Sequence, residues 1–146
     1  MNINKKYLNI ENHFMKNGYY IFDANEESFN SIKNLRKKIL NYTLKTYPKI
    51  KGKFKNENVV FEKMHSFIPK KKLNEFRLKI VDIINNDKNC SNNYYLAAKE
   101  GLDLLVGNEI AMQKKLNFSV QMPNDKDSRL PMHSDIYAGE SPFEVV

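Results

Sequence analysis

The chain has one cysteine, Cys90, set in an asparagine- and lysine-rich stretch. No internal disulfide is therefore open to it, and no second thiol completes a redox motif or a zinc knuckle. Such cysteine usage fits a reducing cytoplasm. Residues 1–6 are polar and lead into no apolar h-region, and no uninterrupted apolar run reaches the roughly 18 residues that a membrane span needs. The expectation is a cytoplasmic chain that is neither exported nor membrane-spanning. Internal repeats and low-complexity segments are missing as well. What the 146 residues do hold is 41% hydrophobic and 12% aromatic side chains, enough to bury a modest core within a single domain and too much for an intrinsically disordered chain.

The net charge of +7 is unevenly spread. From Asn124 onward five acids (Asp125, Asp127, Asp135, Glu140, Glu144) face Lys126 and Arg129, a net −3 that leaves +10 for the rest. Basic clusters at 33–38, 45–55 and 70–72 hint at an anionic partner such as nucleic acid. Lysine and asparagine are abundant throughout, however, so compositional bias is the preferred explanation, and no recognition helix, ribonucleoprotein motif or zinc spacing supports a nucleic-acid interface.

Residues 10–16 pattern as a short helix closed by Asn17-Gly18, and Tyr19-Tyr20-Ile21-Phe22 as a strand. Asp23 and Asn25 are candidate N-caps for a second helix, in which Phe29, Ile32, Leu35, Ile39 and Tyr42 recur at helical spacing and which ends before Pro48. Residues 49–58 form an exposed loop, and Val59-Val60-Phe61 is a short strand or a buried connector. Leu73, Phe76, Ile80, Ile83 and Ile84 mark a third helix over 70–84 whose apolar stripe is core, stopped by Asn85-Asn86-Asp87. Tyr95, Ala98, Leu102 and Leu105 mark a fourth, tolerant of Gly101 and ending near Gly107-Asn108. The period then changes to two: Leu116, Phe118, Val120 and Met122 alternate with Asn117, Ser119 and Gln121, as in a strand buried on one face. Helices first and strands last imply an α+β fold.

On an extended segment, residues two apart project to the same side, so His133 and Asp135 can offer an imidazole nitrogen and a carboxylate oxygen to one metal ion. They are two of the three ligands of a two-histidine, one-carboxylate iron site. Three histidines in a chain with this many acids give roughly 0.35 His-x-acid matches by chance, so the context has to carry the assignment.

That context is Asn117-Phe-Ser-Val-Gln-Met-Pro-Asn-Asp125, Leu130-Pro-Met-His-Ser-Asp135 and Gly139-Glu-Ser-Pro-Phe-Glu-Val-Val146. The block resembles the iron(II)- and 2-oxoglutarate-dependent oxygenases of sporadically distributed bacterial carbohydrate biosynthesis clusters. Gly107-Asn-Glu-Ile-Ala-Met112 shares the resemblance, and the segment from His13-Phe14 to Gly18-Tyr19 does so more weakly; residues 41–92 carry little of it. The resemblance implies N-terminal helices packed on the first strands of a double-stranded β-helix, a jelly-roll of cupin type. It implies His133 and Asp135 as iron(II) ligands, and a second histidine and a basic residue for the 2-oxoglutarate carboxylate on later strands. Eleven residues follow Asp135 and none is His, Arg or Lys. The expectation is therefore that 1–146 is the N-terminal portion of one oxygenase domain, cut within the strand that begins at Phe143.

Under that implied mechanism Asn117 and Gln121 are candidate hydrogen-bond partners of 2-oxoglutarate, with a solvated strand face as the equal alternative, and Tyr137 is a candidate for the substrate mouth. No catalytic residue beyond the metal ligands is expected. The implied substrate is a small sugar or glycan precursor. Two other classes stay open: a small basic nucleic-acid-binding protein, and a catalytically silent remnant of the oxygenase.

Overall fold

Side-chain caps fix where three of the helices begin. The computed structural model describes residues 3–106, 110, 112 and 115–124. In chain order they form α1 (Ile3–Asn17), α2 (Glu26–Thr46), a 3-10 turn (Pro48–Ile50), α3 (Glu57–Glu62), α4 (Met64–Phe67), α5 (Lys70–Asn85) and α6 (Lys88–Leu105). Asn25 starts α2 by accepting the Ser28 N–H on Oδ1 at 2.8 Å, Asn56 starts α3 by accepting from Val59 at 3.1 Å, and Asp87 starts α6 by accepting from Asn89 at 2.9 Å. Each bond satisfies one of the donors that a helix N-terminus leaves unpaired. At the other end of α1, Gly18 takes the left-handed conformation (φ +75°) and its N–H closes on the Phe14 carbonyl at 2.8 Å.

The expected α+β jelly-roll architecture is corrected by this structure: the described residues are 71% helical and contain no strand or sheet. Three local causes account for the difference. Residues 19–22 are not helical and do alternate, with Tyr20 and Phe22 half-buried and Ile21 81% exposed, but they face rings rather than a partner strand. Tyr20 meets the edge of His13 at 5.4 Å and Phe22 at 4.7 Å, and a Cβ on Gly101 would come within 3.0 Å of the Phe22 ring. Glycine at that point of α6 admits the ring against the helix backbone, which explains a residue otherwise costly inside a helix. Val59-Val60-Phe61 is drawn into α3 by the Asn56 cap. Residues 116–122 are neither helical nor paired in a ladder, and their burial alternates from one residue to the next.

The described residues divide into two compact units, one within Met1–Lys37 and Asp87–Lys115, the other within Lys38–Asn86 together with 116–124. In the first unit α1 packs on α6 and Ile10 and Cys90 are buried. Here α2 departs from its apolar spacing: Ser28 and Ser31 are buried, whereas Phe29 is 60% exposed and Ile32 is also exposed. Small side chains let this turn of α2 come close to α6, where the Ser28 hydroxyl donates to the Leu96 carbonyl at 3.4 Å and the Asn25 amide donates to Glu100 Oε2 at 2.8 Å.

The second unit has the better defined core. Leu40, Ile50 and Val60 are buried together, with Leu44, Tyr47, Phe54, Phe61 and Phe67 packed against them. Phe76, Ile80 and Ile84 bury one stripe of α5, as the sequence spacing requires. Thr43 is fully buried, and its hydroxyl is satisfied by the Ile39 carbonyl at 2.8 Å. Phe76 links the stripe to Tyr42 and Tyr47, each at 5.6 Å between ring centroids.

Burial holds the Tyr47 phenol above its ordinary value of 10.0, reinforced by Tyr42 and Glu75 and opposed by Lys72. A proton held more tightly when folded contributes stability that is present below the unfolded value and lost as pH rises through the folded one. Thermal melts between pH 9 and 11.5 are therefore expected to show a steeper loss of stability for the parent than for Tyr47→Phe. Parallel curves would remove the burial of this hydroxyl as the cause.

Candidate functional site

Residues 116–122 are the described part of the sequence block that leads towards His133. Leu116 is buried, Phe118, Val120 and Met122 are half-buried, and Asn117, Ser119 and Gln121 are exposed. The period-two pattern is thus present as an extended segment with its apolar side turned inward and its polar side outward, placing both Asn117 and Gln121 on the open side.

The segment is secured through side chains of α5. Asn85, the last residue of that helix, pairs with both the N–H and the carbonyl of Leu116, at 2.8 and 2.9 Å. Arg77 reaches Asn117 Oδ1 at 3.4 Å from Nη1 while its Nη2 donates to Asn74 Oδ1 at 3.1 Å. Asn117 Oδ1 also accepts its neighbour's N–H, from Phe118 at 2.9 Å. The exposed guanidinium bonds of Arg77 therefore go to neutral amide oxygens, which do not compensate its positive charge. Sequence spacing alone does not find either residue: Asn85 falls in an Asn-Asn-Asp run that signals a helix stop, and Arg77 sits between core positions of the α5 stripe. The signal that was available is weak, an amide at the end of a helix with a single strand-like segment downstream.

His133, Asp135 and Tyr137 lie outside the described residues. Of the remaining histidines, His13 lies on α1 with its ring against Tyr19 and Tyr20, at 5.7 and 5.4 Å, and His65 is half-buried on α4. Among the described residues no three His, Cys, Asp or Glu side chains gather as a metal site, and no helix is long and apolar enough to cross a membrane. Comparison of the chain with models of protein families, with curated proteins and with solved structures finds no match.

Proposed function

We propose that this chain is the N-terminal part of an iron(II)- and 2-oxoglutarate-dependent dioxygenase that hydroxylates a sugar or glycan precursor in the cytoplasm. The observation that carries the reading is His133-Ser-Asp135 within its flanking block at 117–125, 130–135 and 139–146. An imidazole and a carboxylate two residues apart are a donor set suited to iron(II), and a site with three protein ligands leaves positions open for cosubstrate and oxygen. When bound, iron(II) and 2-oxoglutarate supply the oxidising power. The chain's share is to hold the metal through His133 and Asp135, to offer the amides of Asn117 and Gln121 to the cosubstrate, and to shape the substrate mouth with Tyr137. The resemblance implies that a second histidine and a basic residue for the 2-oxoglutarate carboxylate come from later strands, and no residue of this chain is assigned to either role.

Manganese(II), which does not oxidise during the measurement, tests the assignment by the line broadening it causes at histidine ring protons. Broadening is expected at His133, and His133→Ala and Asp135→Ala are each expected to weaken the metal by at least about tenfold, as loss of a direct ligand exceeds the effect of an outer partner. Affinity unchanged by both substitutions, or broadening centred on His13 or His65, would sink the reading.

One observation favours a second reading, a basic nucleic-acid-binding protein. Within residues 38–86 twelve Lys and Arg stand against four Asp and Glu, a net +8 that exceeds the charge of the whole chain. The excess is therefore concentrated in this one stretch and is not spread evenly along the chain. A charge of that density attracts phosphate backbones whatever their sequence.

A further inference from the structure

Asn85 spends its whole side-chain amide on main-chain groups. Its Oδ1 accepts the Leu116 N–H at 2.8 Å, and its Nδ2 donates to the Leu116 carbonyl at 2.9 Å and to the Val81 carbonyl one helical turn back at 2.7 Å. Engaging both the N–H and the carbonyl of a single residue is what a neighbouring strand does at a hydrogen-bonded pair of an antiparallel ladder, where two residues exchange both bonds. The bond to Val81 fixes the orientation of the amide, because rotating it by half a turn would set Oδ1 against two carbonyl oxygens.

We propose that Asn85 is a positioning residue that stands in for a partner strand and sets the register of residues 116–122. Side chains alternate along an extended segment, so a slip of one residue would turn Leu116, Phe118 and Val120 outward and bury Asn117, Ser119 and Gln121. Leu116 is the first residue of the segment and is itself buried, so pinning its peptide groups determines the facing of every residue after it. The use of that register, presenting Asn117 and Gln121 to 2-oxoglutarate, rests on the dioxygenase reading; the clamp itself rests on the three distances. Leucine has the shape without the polar atoms, and an ionised aspartate would aim a negative oxygen at the Leu116 and Val81 carbonyls.

Amide hydrogen exchange of the 146-residue chain, read residue by residue by NMR, tests the clamp. In Asn85→Leu the Leu116 amide is expected to exchange about tenfold faster or more, the loss of one net hydrogen bond, while the central amides of α5 keep their protection. Asn86→Ala, one residue on at an exposed amide that bonds Asp82 Oδ1, is expected to leave Leu116 unchanged. Asn85→Asp supplies the readout that general loosening would not give. Leu116 is expected to lose protection at neutral pH and regain it, relative to its intrinsic rate, as pH falls below about 4, where the neutral carboxyl again offers one donor and one acceptor. Asn85→Leu is expected to show no such recovery. Equal Leu116 protection in the parent and Asn85→Leu, or no acid recovery in Asn85→Asp while α5 stays protected, would overturn the proposal. Manganese broadening at His133 in the same parent sample reads the dioxygenase assignment separately, so its absence overturns that assignment and leaves the clamp to be decided at Leu116.

Discussion

Replacing Phe76 by alanine is expected to unfold the second unit at temperatures where the parent is folded. Phe76 is buried on α5 beside Ile80, which is 1% exposed, and its ring meets both Tyr42 and Tyr47 at 5.6 Å. Truncating a buried phenylalanine costs about 3–5 kcal/mol, from lost transfer energy and from the cavity left behind. Each aromatic pair adds about 0.5–1.5 kcal/mol beyond buried area. A unit of this size holds only on the order of 3–8 kcal/mol in all. The substitution therefore removes half or more of the stability, and a drop in Tm above about 12 °C is expected. Leu78→Ala makes the matched comparison, because Leu78 lies on the same helix at 51% exposure and alanine favours helix at least as well. Its melt is expected within a few degrees of the parent. Similar melts for the two variants would mean that the α5 stripe is not the core of this unit.

Helices are legible in this sequence wherever apolar spacing and punctuation agree. Phe76, Ile80 and Ile84 recur at the helical period between Pro69 and Asn86, and α5 spans Lys70–Asn85 with those three buried. Asn25 and Gly18 likewise mark a start and a stop that the structure uses. Apolar spacing misleads at Phe29 and Ile32, because burial is decided by what approaches a helix, and α6 approaches the serine side of α2. Short extended runs mislead for a different reason. Tyr19–Phe22 and Leu116–Met122 both alternate, but alternation reports a two-sided environment and not a hydrogen-bonded neighbour, and one run is held by rings while the other is held by a side-chain amide. The proposed metal pair at His133 and Asp135 rests on the sequence motif and its flanks alone, since the spacing by itself is no better than chance. The clamp at Asn85 is invisible in sequence, because it joins residues 31 apart through an amide that local rules assign to a helix end.

The largest effect on binding is expected from reversing the charge of the turn at 49–55. Ile50 is buried and Phe54 half-buried in the aromatic cluster with Tyr47 and Phe67, the Phe54 and Phe67 rings lying 5.8 Å apart. Gly52, with φ at +76°, allows the chain to reverse between them. Pinned at those two residues, the turn leaves Lys49, Lys51, Lys53 and Lys55 exposed. Changing all four to glutamate removes eight charge units and brings 38–86 from +8 to zero. If the unit neutralises about six phosphates, affinity for single-stranded RNA or DNA falls roughly three hundredfold between 50 and 200 mM salt. The parent is therefore expected to be retained on immobilised RNA at the lower salt and to elute before the higher, and the quadruple variant is expected not to bind. Exposed side chains carry little folding energy, so the variant's Tm is expected within a few degrees of the parent. No retention of the parent at low salt removes the nucleic-acid reading. Retention shared by the variant moves the interface off this turn. Manganese binding at His133 is expected to be indifferent to the reversal in either case, so the two functional readings are decided by independent measurements on one protein.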